Sequence, residues 1–255
     1  MPPISALPPA AQGDYQLVET DEGSFWMSTA DEVMRNYMTK SRIWEPVETQ
    51  VFKSLLTPGC RVLDIGANVG YFSIVTGRNC PSATIHAVEP HPETAKLLNL
   101  NLWHNGVTAS VWPVALGATS GTVGLEAAHN NVGDTRAHSV ASMSTAQIVV
   151  PLIRGDDLFE GQAFDLMKLD VQGFELDVLI GFSGVIGRSP GLRVLMEYSL
   201  FDGVPSPDLK SVTALGFRIL LIDKSGLRQA PIAELNRVMD SLGPNDHVSV
   251  VLERI

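Results

Sequence analysis

The chain has 255 residues, 45% of them hydrophobic and 18% charged, enough apolar mass for one large α/β domain. Lys plus Arg number 18 against 28 Asp plus Glu, a formal charge of -10 with no basic cluster, which argues against a nucleic-acid substrate. No apolar run reaches a membrane span, Met1 to Ala11 lacks a basic start and a long apolar core, and Cys60 and Cys80 have no partner at metal-ligand spacing. A soluble cytoplasmic protein with free thiols and no membrane partner is expected.

Residues 1–50 read as a proline-bearing tail and a cap segment, and residues 51–255 as the main domain. Arg61 to Ile65 suits a buried strand, after which Gly66 and Gly70 bracket a sharp turn into a helix. Thr84 to Glu89 reads as a second strand. Pro92 then opens a helix with an Ala95, Leu98, Leu102 stripe, stopped by Asn105-Gly106. Val111 to Leu116 reads as a third strand. Ala118 to Asp157 is rich in Gly, Ser, Asn and His with only short strand signals such as Gln147 to Val150, so it reads mainly as loop and as the place of substrate contacts. Phe164 to Leu169 gives a fourth strand that ends in Asp170 and turns through Gly173 into an amphipathic helix from Phe174 to Ile180. Arg193 to Met196 gives a fifth strand, Ser206-Pro207-Asp208 a helix start, and Phe217 to Ile222 and His247 to Leu252 the last strands. The alternation predicts a mostly parallel sheet covered by helices on both faces.

The turn after Ile65 limits the ligand. A dinucleotide pyrophosphate is met by bare backbone from Gly-x-Gly-x-x-Gly, but Asn68 stands at the second glycine's place. S-adenosylmethionine has no phosphate, and its cationic end is favoured by a nearby carboxylate such as Asp64. Glu89, at the end of the second strand, is placed to accept hydrogen bonds from ribose hydroxyls, with His91 flanking that site. Pro113 to Gly117 has small apolar residues that suit an adenine ring or any buried turn. In Met167 to Glu175, Lys168, Asp170 and Gln172 share one side of an otherwise apolar strand. A buried lysine needs a partner. Lys168 therefore forms either an internal ion pair with Asp170 or Glu175, or part of a site at the carboxyl edge of the sheet, where Glu197 also arrives. His129 to His138 is a polar stretch in which Asn130, Asn131, Arg136 and His138 can meet a hydroxylated acceptor and His129 can act as base.

Asp64 to Ser73, Val88-Glu89-Pro90-His91-Pro92 and Lys168 to Glu175 together resemble the FkbM-type methyltransferases, from about Trp44-Glu45-Pro46 to the final strand. The resemblance implies a class I methyltransferase fold: a Rossmann-like three-layer sandwich with a seven-stranded, mostly parallel sheet and an antiparallel last strand. It also implies S-adenosyl-L-methionine as cofactor and O-methylation of sugar, polyketide or other natural-product hydroxyls. By position it places Asp64, Gly66, Ala67, Asn68, Gly70, Phe72 and Ser73 at the methionine end, Glu89 on the ribose, and Pro90 with Ala115 and Leu116 at the adenine. Asp170 falls near the amino group, and Glu45 within reach of the cofactor. Gln172 stands where many relatives carry an acid.

The expected reaction is one-step methyl transfer to a hydroxyl, with His129, Asp170 or Glu197 as base, Lys168, Gln172 and Glu175 near the acceptor, and no metal required. Three rivals remain at this level: transfer to an amine, a nicotinamide-dependent oxidoreductase, and a binding module without turnover. The sequence carries no signal for an oligomeric state.

Overall fold

A computed structural model describes residues 14–128, 131–138, 148–199, 209–243 and 247–255. The described chain begins with a hairpin, β1 (Tyr15–Glu19) and β2 (Ser24–Ser28), followed by α1 (Glu32–Ser41) and α2 (Pro46–Leu55). Next come β3 (Arg61–Ile65), α3 (Tyr71–Asn79), β4 (Thr84–Val88), α4 (Pro92–His104) and β5 (Ser110–Trp112). Four strands follow, β6 (Ala115–Gly117), β7 (Gly121–Ala128), β8 (Asn131–His138) and β9 (Ile148–Arg154), then α5 (Gly155–Leu158) and β10 (Leu166–Leu169). The remainder holds α6 (Glu175–Gly181), α7 (Ser183–Arg188), β11 (Arg193–Ser199), α8 (Leu209–Ala214), β12 (Phe217–Asp223), β13 (Gly226–Gln229), α9 (Ile232–Asp240) and β14 (His247–Arg254).

The main sheet has the order β13-β12-β14-β11-β10-β3-β4-β5. Strands β5, β4, β3, β10 and β11 run parallel, and β14 enters antiparallel between β11 and β12. These are the seven expected strands with the last one reversed; β13 adds an eighth at the edge through a short hairpin with β12. Helices cover both faces, so β3 and β10 are apolar without interruption except where the site needs charge. Period-two alternation divides their side chains between two cores. Leu63, Ile65, Met167, Leu169, Val194 and Met196 point into one. Val62, Leu166, Leu195 and Val251 point into the other, together with Phe52, Phe72 and Leu98.

The expected third strand divides: β5 stays in the main sheet, while β6 starts a separate four-stranded sheet of order β6-β9-β7-β8. Residues 118–157, read as mostly loop, therefore hold three strands, including Asn131–His138 in place of a polar loop. The physical reason is pairing on both flanks of β7, which outweighs the poor strand propensity of Gly121 and Gly124 and lets Val123 and Leu125 bury on one face. His129, Asn130 and the Ser206 to Asp208 helix start lie outside the described residues.

The hairpin β1–β2 is tied to the main body by buried amides. Asn101 in α4 accepts from the Trp26 N–H at 2.7 Å and donates to the Trp26 and Val69 carbonyls at 3.0 and 2.9 Å. Asn105 bridges both backbone groups of Ser24 in the same way. Cys60 and Cys80 are free, buried thiols. Among the described residues no helix is long and apolar enough to cross a membrane.

Candidate active site

The carboxyl ends of β3, β4 and β10 open into a cleft lined by Gly66, Glu89 and Asp170, at the edge where open α/β sheets bind ligands. Gly66 makes its floor. Its φ of +77° is left-handed, and a Cβ there would stand 1.8 Å from the Asp170 carbonyl oxygen, so only glycine lets the loops after β3 and β10 approach this closely. Asn68 also has positive φ, 49°, a conformation asparagine tolerates better than most side chains. This is how Asn68 can replace a glycine in the turn. Its Nδ2 faces the Met34 sulfur at 3.6 Å, while its Oδ1 is buried without a protein partner.

Glu89 joins the loops after β3 and β4. One of its oxygens accepts from the Asn68 N–H at 2.9 Å and the other from the His91 N–H at 2.8 Å. Burial pushes its carboxyl up to about 7, against these two hydrogen bonds. Beyond it lies an apolar slot lined by Val114, Ala115, Leu116, Val123, Leu125 and Leu152, four of which (Ala115, Val123, Leu125 and Leu152) share one face of the second sheet. The cleft as a whole fits S-adenosylmethionine: bare backbone at Gly66, an acceptor at Glu89 and the apolar slot beyond.

Several expected site residues stand behind the wall of the cleft. Asp64 is 1% exposed and accepts from the Ser73 hydroxyl at 2.7 Å, so this pair fixes the start of α3 from within. Burial pushes Asp64 up to about 6. Ala67, Gly70 and Phe72 are buried too; a Cβ at Gly70 would meet Leu98 at 2.5 Å. Glu175 turns inward and accepts from the Val171 and Gly173 N–H groups, closing the loop after β10. His91 lies in an adjoining hollow with Tyr15, Asp31 and Thr94. Gly66, Asn68, Glu89, Pro90, Ala115, Leu116, Asp170 and Gln172 do line the cleft. Asn131, Arg136 and His138 are in β8, which lies against α1; the register sets Arg136 opposite Glu126 and His138 opposite Gly124.

Of the cleft's lining groups, Asp170 meets two further carboxylates. Oxygens of Glu45, Asp170 and Glu197 lie within 4.8 Å of one another, from three separate parts of the chain. Glu45 is held in a left-handed conformation (φ 42°) at the start of α2, between the Trp44 N–H bonded to the Tyr71 hydroxyl and the Trp44 carbonyl bonded to Thr49. Gln172, also at positive φ, donates to Asp170 at 2.8 Å. Among the described residues, three of the four non-glycine residues with positive φ thus sit at this site, in keeping with backbone strain at functional positions. Burial pushes Glu45 up to about 8, with the Lys168 ammonium opposing the shift. Among the described residues this trio is the group whose spacing suits a metal ion.

Sequence reasoning did not find Val123, Leu125 and Leu152. The alternation Val123, Leu125 and Ile148, Val150, Leu152 was the available signal, masked by the glycines of β7. It also did not bring Glu45 to Asp170 and Glu197, because no spacing links them.

The strand order with its single reversed strand and the cleft at the carboxyl edge define a class I methyltransferase fold. A SAM-dependent O-methyltransferase from Thermotoga maritima has the same fold, with a TM-score of 0.50, 17% identity, and 94% of this chain and 77% of that chain covered. The chain belongs to the methyltransferase FkbM domain family, which matches residues 64–215. It is also similar to the hexuronic acid methyltransferase AglP of Haloferax volcanii, 25% identical over 126 residues. A second relative is the methyltransferase sdnD of Sordaria araneosa, 27% identical over 179 residues, covering 53% of this chain and 69% of sdnD. The match to AglP covers 48% of this chain and half the length of AglP.

Proposed function

We propose that this chain transfers a methyl group from S-adenosylmethionine to a hydroxyl of a small molecule of the sugar or natural-product type. The observation that carries the reading is the set of groups gathered in one cleft: an apolar slot, the backbone-held carboxylate of Glu89, the bare Gly66 turn, and Asp170, on which Glu45 and Glu197 converge. Pro90, Ala115 and Leu116 would hold the adenine, Glu89 the ribose, and Gly66 with Asn68 and Asp170 the methionine end. Bound there, the cofactor supplies an electrophilic methyl on sulfur.

The chain's own residues then position the acceptor and take its proton. The carboxylates would take the acceptor's O–H proton as its oxygen accepts the methyl, for which the bound cofactor would supply a sulfonium leaving group. Asp170, with Glu197 and Glu45 converging on it, carries the base role, and Gln172, which lines the cleft, would contact the acceptor. The family membership and the names of AglP and sdnD support this substrate class. Family membership also removes the support for a nicotinamide oxidoreductase.

An amine acceptor is the second reading, because a carboxylate trio also holds an ammonium group; that group must lose its proton before it can attack. The test is incubation with S-adenosylmethionine labelled in the methyl group and a panel of hydroxylated and amino compounds, with mass spectrometry and carbon NMR of the products. O-methylated product is expected. Label only on nitrogen would replace hydroxyl transfer by the amine reading, and calorimetry without S-adenosylhomocysteine binding would sink both.

A further inference from the structure

The chain's two cysteines, Cys60 and Cys80, are brought together by the fold. Cys60 ends the loop before β3; its N–H donates to the Thr57 carbonyl at 3.0 Å and its own carbonyl accepts the Thr84 N–H at 2.9 Å. Cys80 follows the last residue of α3, its N–H bonded to the Thr76 carbonyl at 2.7 Å and its carbonyl accepting the Ala83 N–H at 2.9 Å. The Cys80 thiol donates to the same Thr57 carbonyl at 3.3 Å. The Thr57 backbone also hydrogen-bonds the Cys60 thiol, and the two thiols hydrogen-bond to each other. The Ser82 hydroxyl, which accepts the Gly59 N–H at 2.9 Å, lies 3.7 Å from the Cys80 sulfur. Thr57 to Gly59 and Pro81-Ser82, which flank the pair along the chain, are exposed, and Cys80 itself is 7% exposed, so the thiols lie just beneath the surface. Burial pushes both thiols up. At Cys80 the Ser82 hydroxyl, the Gly59 backbone and the Cys60 thiol outweigh burial and hold the thiol below its ordinary value, while Cys60 stays above its own. A protonated thiol bonded to a thiolate-favouring one is the arrangement of a dithiol that undergoes exchange.

We propose that Cys60 and Cys80 form a reversible disulfide site, closed by a low-molecular-weight disulfide and reopened by thiols, that ties the amino end of β3 to the end of α3. The Cys80 thiolate attacks one sulfur of the small disulfide, whose S–S bond breaks and releases one thiolate, leaving a mixed disulfide on Cys80. The Cys60 sulfur gives up its proton, attacks the Cys80 sulfur and expels the second thiolate. Two cysteine thiols are oxidised and one small disulfide is reduced to two thiols, on which the two cysteine protons end. The new bond closes residues 60–80, the segment that holds β3, the Gly66 turn and α3. Both cysteine backbones are already fixed by hydrogen bonds in the reduced chain, so closure keeps the fold and removes conformations from the unfolded chain. The oxidised form is therefore the more stable one. Neither cysteine lines the cleft, so the site stands apart from methyl transfer and is judged without it.

In the test, the folded wild-type chain is incubated with glutathione disulfide, remaining thiols are blocked with iodoacetamide, and the intact mass is read with and without prior dithiothreitol. With two cysteines in the sequence, the expected product is a monomer two hydrogen atoms lighter that carries neither glutathione nor alkyl groups. Dithiothreitol should return it to a chain that takes two alkyl groups. In glutathione buffers of graded ratio the disulfide should form with an equilibrium constant about tenfold or more above that of the same chain in urea, and the oxidised chain should have the higher urea midpoint. A chain that keeps two alkylatable thiols, holds glutathione without closing, pairs between molecules or loses stability on oxidation overturns the proposal. For the order of attack, Cys60→Ala should gain the glutathione adduct about tenfold faster than Cys80→Ala; equal or reversed rates reject Cys80 as the attacking thiol. If either variant does not fold, peptide mass spectrometry of the acid-quenched wild-type reaction decides instead: a transient adduct on Cys80 supports the order, and one on Cys60 rejects it.

Discussion

Glu89 shows why one side-chain type is required at a position. Both of its oxygens accept backbone N–H groups, one from each of two loops. In Glu89→Gln the amide nitrogen must face one of these donors, leaving a buried N–H unpaired, which costs about 1–3 kcal/mol. Loss of that stability in urea titration at pH 8, with at least tenfold weaker S-adenosylhomocysteine binding by calorimetry, is the expected result; unchanged affinity would remove Glu89 from the cofactor. Gly66 is constrained twice over, by its φ and by the 1.8 Å approach to the Asp170 carbonyl. Gly66→Ala should therefore cost at least about 2 kcal/mol and abolish S-adenosylhomocysteine binding, because the loops after β3 and β10 must separate. Denaturation and calorimetry on the same sample check both parts.

At the scale of elements, the cleft depends on pieces packed around it. The hairpin β1–β2 and α1 place Met34 against Asn68, and Asn101 in α4 is the link that holds them: three hydrogen bonds from a side chain that is 0% exposed. Asn101→Ala strands two carbonyls and one N–H in the interior, so a loss of about 2–4 kcal/mol is expected. Limited proteolysis should then cut within residues 14–41 faster than in wild type. Cleavage at the same rate would show that the hairpin is held by its apolar contacts alone. The second sheet has the complementary task, since β7 and β9 bring Val123, Leu125 and Leu152 over the slot. Alternation in those strands was present in the sequence, but a short apolar alternation such as Val123-Gly124-Leu125, flanked by further glycine, reads as loop until its partner strands are known.

For the whole molecule, the concentration of buried carboxyl groups sets how stability responds to pH. Burial raises Asp64 to about 6, Glu89 and Glu175 to about 7 and Glu45 to about 8. Each ordinary value is near 4, so over about pH 4 to 8 the folded chain holds protons that the unfolded chain has released. Stability then falls as pH rises through that window. The ligand-free chain should have its highest urea midpoint near pH 5 and a lower one at pH 8. A midpoint that rises over the same range would mean that these groups are ionised in the folded state.

Read by itself, the sequence located the main-sheet strands along the chain, the turn at Gly66, the acid at Glu89 and a lysine in a buried strand that needs an acidic partner. Each is specified locally, by a period of two, by glycine between strand and helix, or by polar residues inside an apolar run. The tertiary structure alone decided which of these groups face the ligand. Asp64 and Ser73 bond to each other inside, Glu175 closes its own loop, and Lys168 stands behind the carboxylates. It also decided that Glu45, Asp170 and Glu197 meet. Their convergence depends on the pairing of β10 with β11 and on where α2 packs, both of which are long-range contacts that no spacing along the chain encodes.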